Sequence, residues 1–156
     1  GSRRIIAVEV ASMPAKGLLA ARSRRKYGPR RDDRRDALKL MCGEILRANP
    51  NVKTVKSDEA PRYPGLVKRQ LPGVKHETFK GRRACVVGQG ELKAIGRDPL
   101  FSLNHTAAMI RDNLKTMSRK TWCTVKRPDR LQHLLNLYAW YHNQTIEKVS
   151  HRRIYI

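Results

Sequence analysis

The chain has 156 residues, of which 34 are Lys or Arg and 13 are Asp or Glu, giving a formal net charge of +21. That length suits one domain or part of one, and 40 % hydrophobic residues can build a core. The charge repels itself when no partner is present; the usual compensating partner is nucleic acid, with an acidic membrane surface second. No apolar run approaches the about 20 residues of a membrane span, and no signal peptide is visible, so only charge supports a membrane partner.

In chain order, Arg4–Val10 (RIIAVEV) is β-branched and predicts a strand covered on both faces. Such a strand needs neighbours, and it reads as the second arm of a hairpin whose first arm is absent. Ser12-Met13-Pro14 breaks it. Lys16–Arg25 predicts a short helix, followed by a basic loop over Arg24–Arg31 around Gly28-Pro29. Asp32-Asp33 suit an N-cap and first turn, which explains both acids better than a metal site does. That helix runs to about Ala48, with Leu38, Met41, Cys42, Ile45 and Leu46 inward.

Val52–Ser57 predicts a short strand ending at Asp58, and Pro61–Leu71 a helix with Leu66, Val67 and Leu71 inward. Val74–Phe79 predicts another strand. Gly81–Pro99 reads as a loop with GQGELK at its centre; GxG alone is a weak phosphate motif, and no dinucleotide fingerprint or P-loop is present. The stretch Phe101–Lys126 begins as an amphipathic helix. Leu103, Ala107, Ile110, Leu114 and Met117 predict a buried stripe, with Asn104, Ala108, Arg111 and Lys115 along its edge. A basic knot follows, Arg119-Lys120-Thr121-Trp122, then Lys126 and Arg127. Pro128–Gln144 predicts a last helix, buried on most sides by Leu131, Leu134, Leu135, Tyr138 and Tyr141, widened by Leu137 and Trp140. The order of strands and helices is an α/β layout.

Cys42, Cys85 and Cys123 are odd in number and widely spaced, with no CxxC. A disulfide framework or zinc ribbon is not expected, and small buried residues in a reducing compartment are. The opening Gly-Ser without an initiator Met fits a tagged protein or a piece of a longer one.

Asp58 is the most informative acid. It stands where a strand gives way to a loop and helix, the place where ligands collect in an open α/β sheet, and a carboxylate there can hold a hard divalent cation. Its plainer role is to turn the chain. Glu59, beside it, would point elsewhere.

The segments SDEAPRYPGLVKRQLPG, GQGELK and DPLFSLNHTAAMIRDNLKTMSRKTWCTVKR, with a closing helix ending in YHNQ, resemble bacterial insertion-sequence transposases of the DDE type. The opening RIIAVEVASMPAKGLLAARSRRKYG is similar to the same group. The resemblance covers nearly all of the chain and is most specific at Asn104-His105 and the Arg119–Trp122 knot. It implies an RNase H-like α/β fold, a mixed sheet with flanking helices, here missing its first two strands and with them the first catalytic aspartate. It implies that Asp58 matches the second aspartate and Asn104 the third position, with Glu91 as the other candidate. It implies phosphoryl transfer on DNA with two Mg²⁺ (or Mn²⁺) ions about 4 Å apart, Asp58 and Asn104 being metal ligands. An asparagine gives a neutral oxygen and a weaker site than a third carboxylate. Arg111, Lys115, Arg119, Lys120 and Lys126 would neutralise DNA phosphates. Trp122 could stack on a base or fill a core, and His105 could touch the scissile phosphate or pack on its own helix. The implied setting is the bacterial cytoplasm, on the nucleoid, with DNA and further copies of the chain as partners and no membrane.

The rival expectation is a non-catalytic, basic nucleic-acid-binding protein held by charge. A structural or ribosome-associated basic protein would instead concentrate its cations in disordered tails, whereas here they are spread through patterned helices. With strands missing, the apolar Ile5–Val10 segment would have unpaired edges, and the chain alone is expected to be inactive and to self-associate without nucleic acid.

Overall fold

A computed structural model describes residues 3–80, 98–118, 125 and 127–152, with side chains to residue 146. Its elements are α1 (Ala20–Tyr27), α2 (Arg34–Ala48), β1 (Thr54–Asp58), α3 (Arg62–Gln70), β2 (Lys75–Phe79), α4 (Phe101–Asn113), a 3₁₀ turn (Lys115–Met117) and α5 (Pro128–Arg152). The class is mixed α/β, with one two-stranded parallel sheet among the described residues. The chain divides into two compact units, one drawn from Asn51–Thr121 with Arg3, the other from Arg4–Pro50 and the chain after Thr121.

In the first unit, β1, α3 and β2 form a βαβ unit. Parallel strands need such a crossover, because a tight hairpin can only join antiparallel ones. β1 and β2 pair in register from Thr54 opposite Lys75 to Asp58 opposite Phe79. Pro61 occupies the N-cap of α3, where a missing N–H costs nothing. Leu66, Val67 and Leu71 are buried as the apolar spacing predicts, Leu71 at 2 % exposure. Gly73 has φ 80°, a left-handed conformation that turns the chain from α3 into β2.

α4 departs from expectation. It stops at Asn113, and the 3₁₀ turn carries Lys115–Met117 away from the helical line. The stripe from Leu103 to Met117 is therefore broken. No α4 residue is fully buried, and Phe101 and Leu103 are 57 % and 56 % exposed. Leu100, just before the helix, is the buried residue here.

The second unit is built on α2 and α5. Ala37 and Cys42 are buried on α2, with Leu38, Met41, Ile45 and Leu46 half-buried beside them. Asp32 and Asp33 precede α2: Asp32 Oδ1 accepts from the Arg34 N–H at 3.3 Å, at the first residue of the helix, and also receives the Arg34 guanidinium, whereas Asp33 at the N-cap makes no side-chain cap and pairs with Arg31. Among the described side chains of α5 the buried residues are Leu135, Tyr138 and His142, at spacings of three and four. Leu137, Trp140 and Tyr141 are 63 %, 62 % and 57 % exposed, so α5 has one buried face rather than cover on most sides. Burial pushes the Cys42 thiol above its ordinary pKa, since the thiolate is the form that desolvation penalises. Alkylation of Cys42, followed by peptide mass spectrometry, is expected to be slow in the native protein and fast in urea.

Arg4–Val10 forms no strand. Amide side chains of α5 take its backbone groups instead. Asn143 accepts from the Ile5 N–H (2.8 Å) and donates to the Ile5 carbonyl (2.9 Å). Gln132 accepts from the Val10 N–H (2.8 Å) and donates to the Val8 carbonyl (2.7 Å). α5 rises about 16 Å between these two side chains, and an extended chain covers about the same length from Val10 to Ile5. In a regular strand the peptide groups of Ile5 would face the opposite edge from those of Val8 and Val10. All of them meet α5, so the segment rotates between Ile5 and Val8 and loses the two-residue period. A groove of about 440 Å³ runs beside it, lined by Ile5–Glu9, Glu44, Asn136 and Trp140 among others.

Candidate nucleic-acid site

Asp58 ends β1 at the carboxyl edge of the parallel pair, and its side chain is exposed. Its Oδ1 accepts from the Ala60 N–H at 3.2 Å, a turn that leads the chain into α3. The chain-turning role is thus real, and it leaves Oδ2 open. By the alternation of side chains along the strands, Asp58 shares a face with Lys56, Lys75, Glu77 and Phe79. Lys75 Nζ lies 2.7 Å from Glu77 Oε1 and Lys56 Nζ 3.9 Å from Oε2. The Lys75 hydrogen bond holds the Glu77 carboxyl below the usual range, and the same bond raises Lys75. Lys56 also stands over the Phe79 ring, 5.6 Å from its centroid.

The opposite face carries a contact that sequence reasoning did not find. Ser57 Oγ donates to the Asp58 carbonyl at 2.8 Å and lies 2.8 Å from His76 Nε2. The hydroxyl has one proton, so with that proton on the Asp58 carbonyl it is Nε2 that donates to Oγ. This ties the end of β1 to β2 and sets the backbone from which Asp58 projects. Its only sequence signal was polar residues at two inward strand positions.

Asn104 sits in the second turn of α4, half-buried. Its Nδ2 donates to Asp98 Oδ2 at 2.9 Å, and Asp98 Oδ1 accepts from the Leu100 N–H at 3.0 Å. Asp98, not singled out from sequence, therefore holds the start of α4 and fixes which way the Asn104 amide points. The Asn104 carbonyl oxygen is left available. His105 is packed by its own helix: Phe101 lies 5.6 Å away, ring to ring, and Arg3 Nη1 stands 3.4 Å from both ring nitrogens. An equal approach to both nitrogens marks a guanidinium on the ring rather than a directed hydrogen bond.

Asp58 and Asn104 belong to the same unit, and no hydrogen bond joins them. Among the described residues no group of three His, Cys, Asp or Glu side chains could hold a metal ion. Of the expected DNA contacts, Arg111 is half-buried in the last turn of α4 and Lys115 is exposed in the 3₁₀ turn. Glu91, Arg119, Lys120, Trp122 and Lys126, like Cys85 and Cys123, lie outside the described residues. No helix among the described residues is long and apolar enough to cross a membrane.

No protein-family model, curated protein or solved structure matches this chain.

Proposed function

We propose that the chain is the DNA-handling core of a DDE-type insertion-sequence transposase, RNase H-like in plan and working on DNA in the bacterial cytoplasm as a homo-oligomer. The observation that carries this reading is the open carboxylate of Asp58 at the carboxyl end of a parallel strand, in a chain of net charge +21. Phosphoryl transfer of this kind uses Mg²⁺ or Mn²⁺. The described residues fit that cofactor only in part: Asp58 offers a carboxylate oxygen and Asn104 a neutral one, and they do not complete a site. The remaining candidate ligand is Glu91, outside the described residues.

That incompleteness favours a second reading, a non-catalytic nucleic-acid-binding protein. The two separate in one experiment: nicking of supercoiled plasmid with Mg²⁺ or Mn²⁺, alongside DNA binding, for this chain, for a version extended upstream to supply the first aspartate, and for Asp58→Ala in that version. The transposase reading expects nicking by the extended version alone, metal-dependent and reduced to background by Asp58→Ala while binding stays. Binding without nicking in all three would favour the binding protein.

A further inference from the structure

α1 has no buried residue. The two residues that lead into it, Leu18 and Leu19, are 103 % and 70 % exposed. An eight-residue helix is too short to hold itself together in water, and here no apolar face anchors it. Its composition makes matters worse. Arg22, Arg24, Arg25 and Lys26 crowd four cations into it, with like charges at i, i+3 and i, i+4, and Arg30 follows three residues beyond its end. Among the described residues no carboxylate pairs with any of the five. The acids that follow are engaged by other arginines, Arg31 and Arg34. Lys26 and Arg30 instead flank the Tyr27 ring, at 5.2 and 6.0 Å from its centroid. Gly17 and Gly28 bracket the helix with φ 85° and 75°, backbone conformations that favour glycine.

A helix with this charge and this exposure lacks one component, an anionic partner. At 100° per residue, Arg24, Arg25, Arg22 and Lys26 spread over about 200° of the helix circumference. The rest of the circumference carries Ala20, Ser23 and Tyr27, with no bulky aliphatic face to enter a lipid surface. The helix is about 12 Å long, a length over which duplex DNA presents about seven phosphate charges. We propose that Leu18–Arg31 is a phosphate-gripping arm for duplex DNA, and that α1 becomes stably helical when DNA neutralises its cations. The arm belongs to the unit that does not contain Asp58. This rests on the proposal that the chain binds DNA.

The test replaces Arg22, Arg24, Arg25 and Lys26 together by Gln and compares DNA affinity across a salt series with that of the unaltered chain. The slope of log K against log salt should fall by about 3–4, and affinity at physiological salt by about 10²–10³-fold. Thermal unfolding should not be lowered, because α1 contributes nothing to the core; this keeps a loss of binding from being read as misfolding. Helical circular dichroism of the unaltered chain should rise on adding duplex, and that gain should vanish in the variant. An unaltered chain that binds DNA, with a variant that binds equally well, would overturn the arm and leave DNA binding standing. A variant that loses only its affinity for phosphatidylserine vesicles would overturn it in favour of a membrane partner. An unaltered chain that does not bind DNA at all would remove both.

Discussion

Leu71→Ala should cost the first unit about 2–5 kcal/mol, the range for emptying a buried leucine site. Leu71 is 2 % exposed, at the C-terminal end of α3, and its N–H still closes the helix onto the Val67 carbonyl at 2.8 Å. Among the described residues its buried apolar companions in this unit are Leu66, Val67 and Leu100. Whole domains are stable by only about 5–15 kcal/mol, so one leucine in so small a core is a large fraction of the total. The unit should open at distinctly lower urea, read by hydrogen exchange at the β1 and β2 amides, while α5 amides keep their protection. Leu71→Met, which conserves volume, should cost less than about 1.5 kcal/mol. Equal losses for the two variants would show that the site is not close-packed.

The second large effect is expected at the amide clamps. Asn143→Ala leaves the Ile5 N–H and carbonyl without their partner, and Gln132→Ala does the same for Val10 and Val8. The groups are part-buried, so each change should cost about 1–2 kcal/mol, the lower part of the range for orphaned polar groups. In the double variant the Ile5 and Val10 amides should exchange at the rate of an unfolded chain, with the middle of α5 still protected. Protection that survives in the double variant would mean that packing of Ile5–Val10, not the amides, holds the segment.

These two sites show what sequence could and could not reveal. Leu66, Val67 and Leu71 were legible because a short amphipathic helix between two strands has one apolar face and one place to bury it. β1 and β2 were legible for the same reason, each a short β-rich run bounded by turn residues. Arg4–Val10 was misread as a strand because β-propensity reports a fit to a pleated surface, not which groups take the backbone hydrogen bonds. Here Gln132 and Asn143 take them, two amides whose role the spacing of apolar residues on the helix does not reveal. The stripe on α4 failed because spacing cannot show where a helix ends; the 3₁₀ turn at Lys115 removed Leu114 and Met117 from the line.

At the candidate site, the position of Asp58 at a strand end was legible from the change of pattern at Ser57–Glu59. Its partners were not. Ser57 and His76 meet only once the parallel register is set, and Asp98 reaches Asn104 only once α4 begins at Phe101. Such contacts are set by register and helix start, which composition does not fix. The charge was the plainest signal in the sequence, and the structure adds where it is uncompensated: among the described residues five cations around α1 have no carboxylate partner, whereas Lys75 is paired with Glu77.

The measurement that tests the central claim most directly is binding of the full chain to a short random-sequence duplex, followed across a range of salt. A DNA-handling protein predicts binding at low salt and a slope of log K against log salt of about −4 or steeper, as cations displace counterions from several phosphates. No binding at low salt, or an affinity indifferent to salt, would contradict it and leave the charge without the partner inferred here.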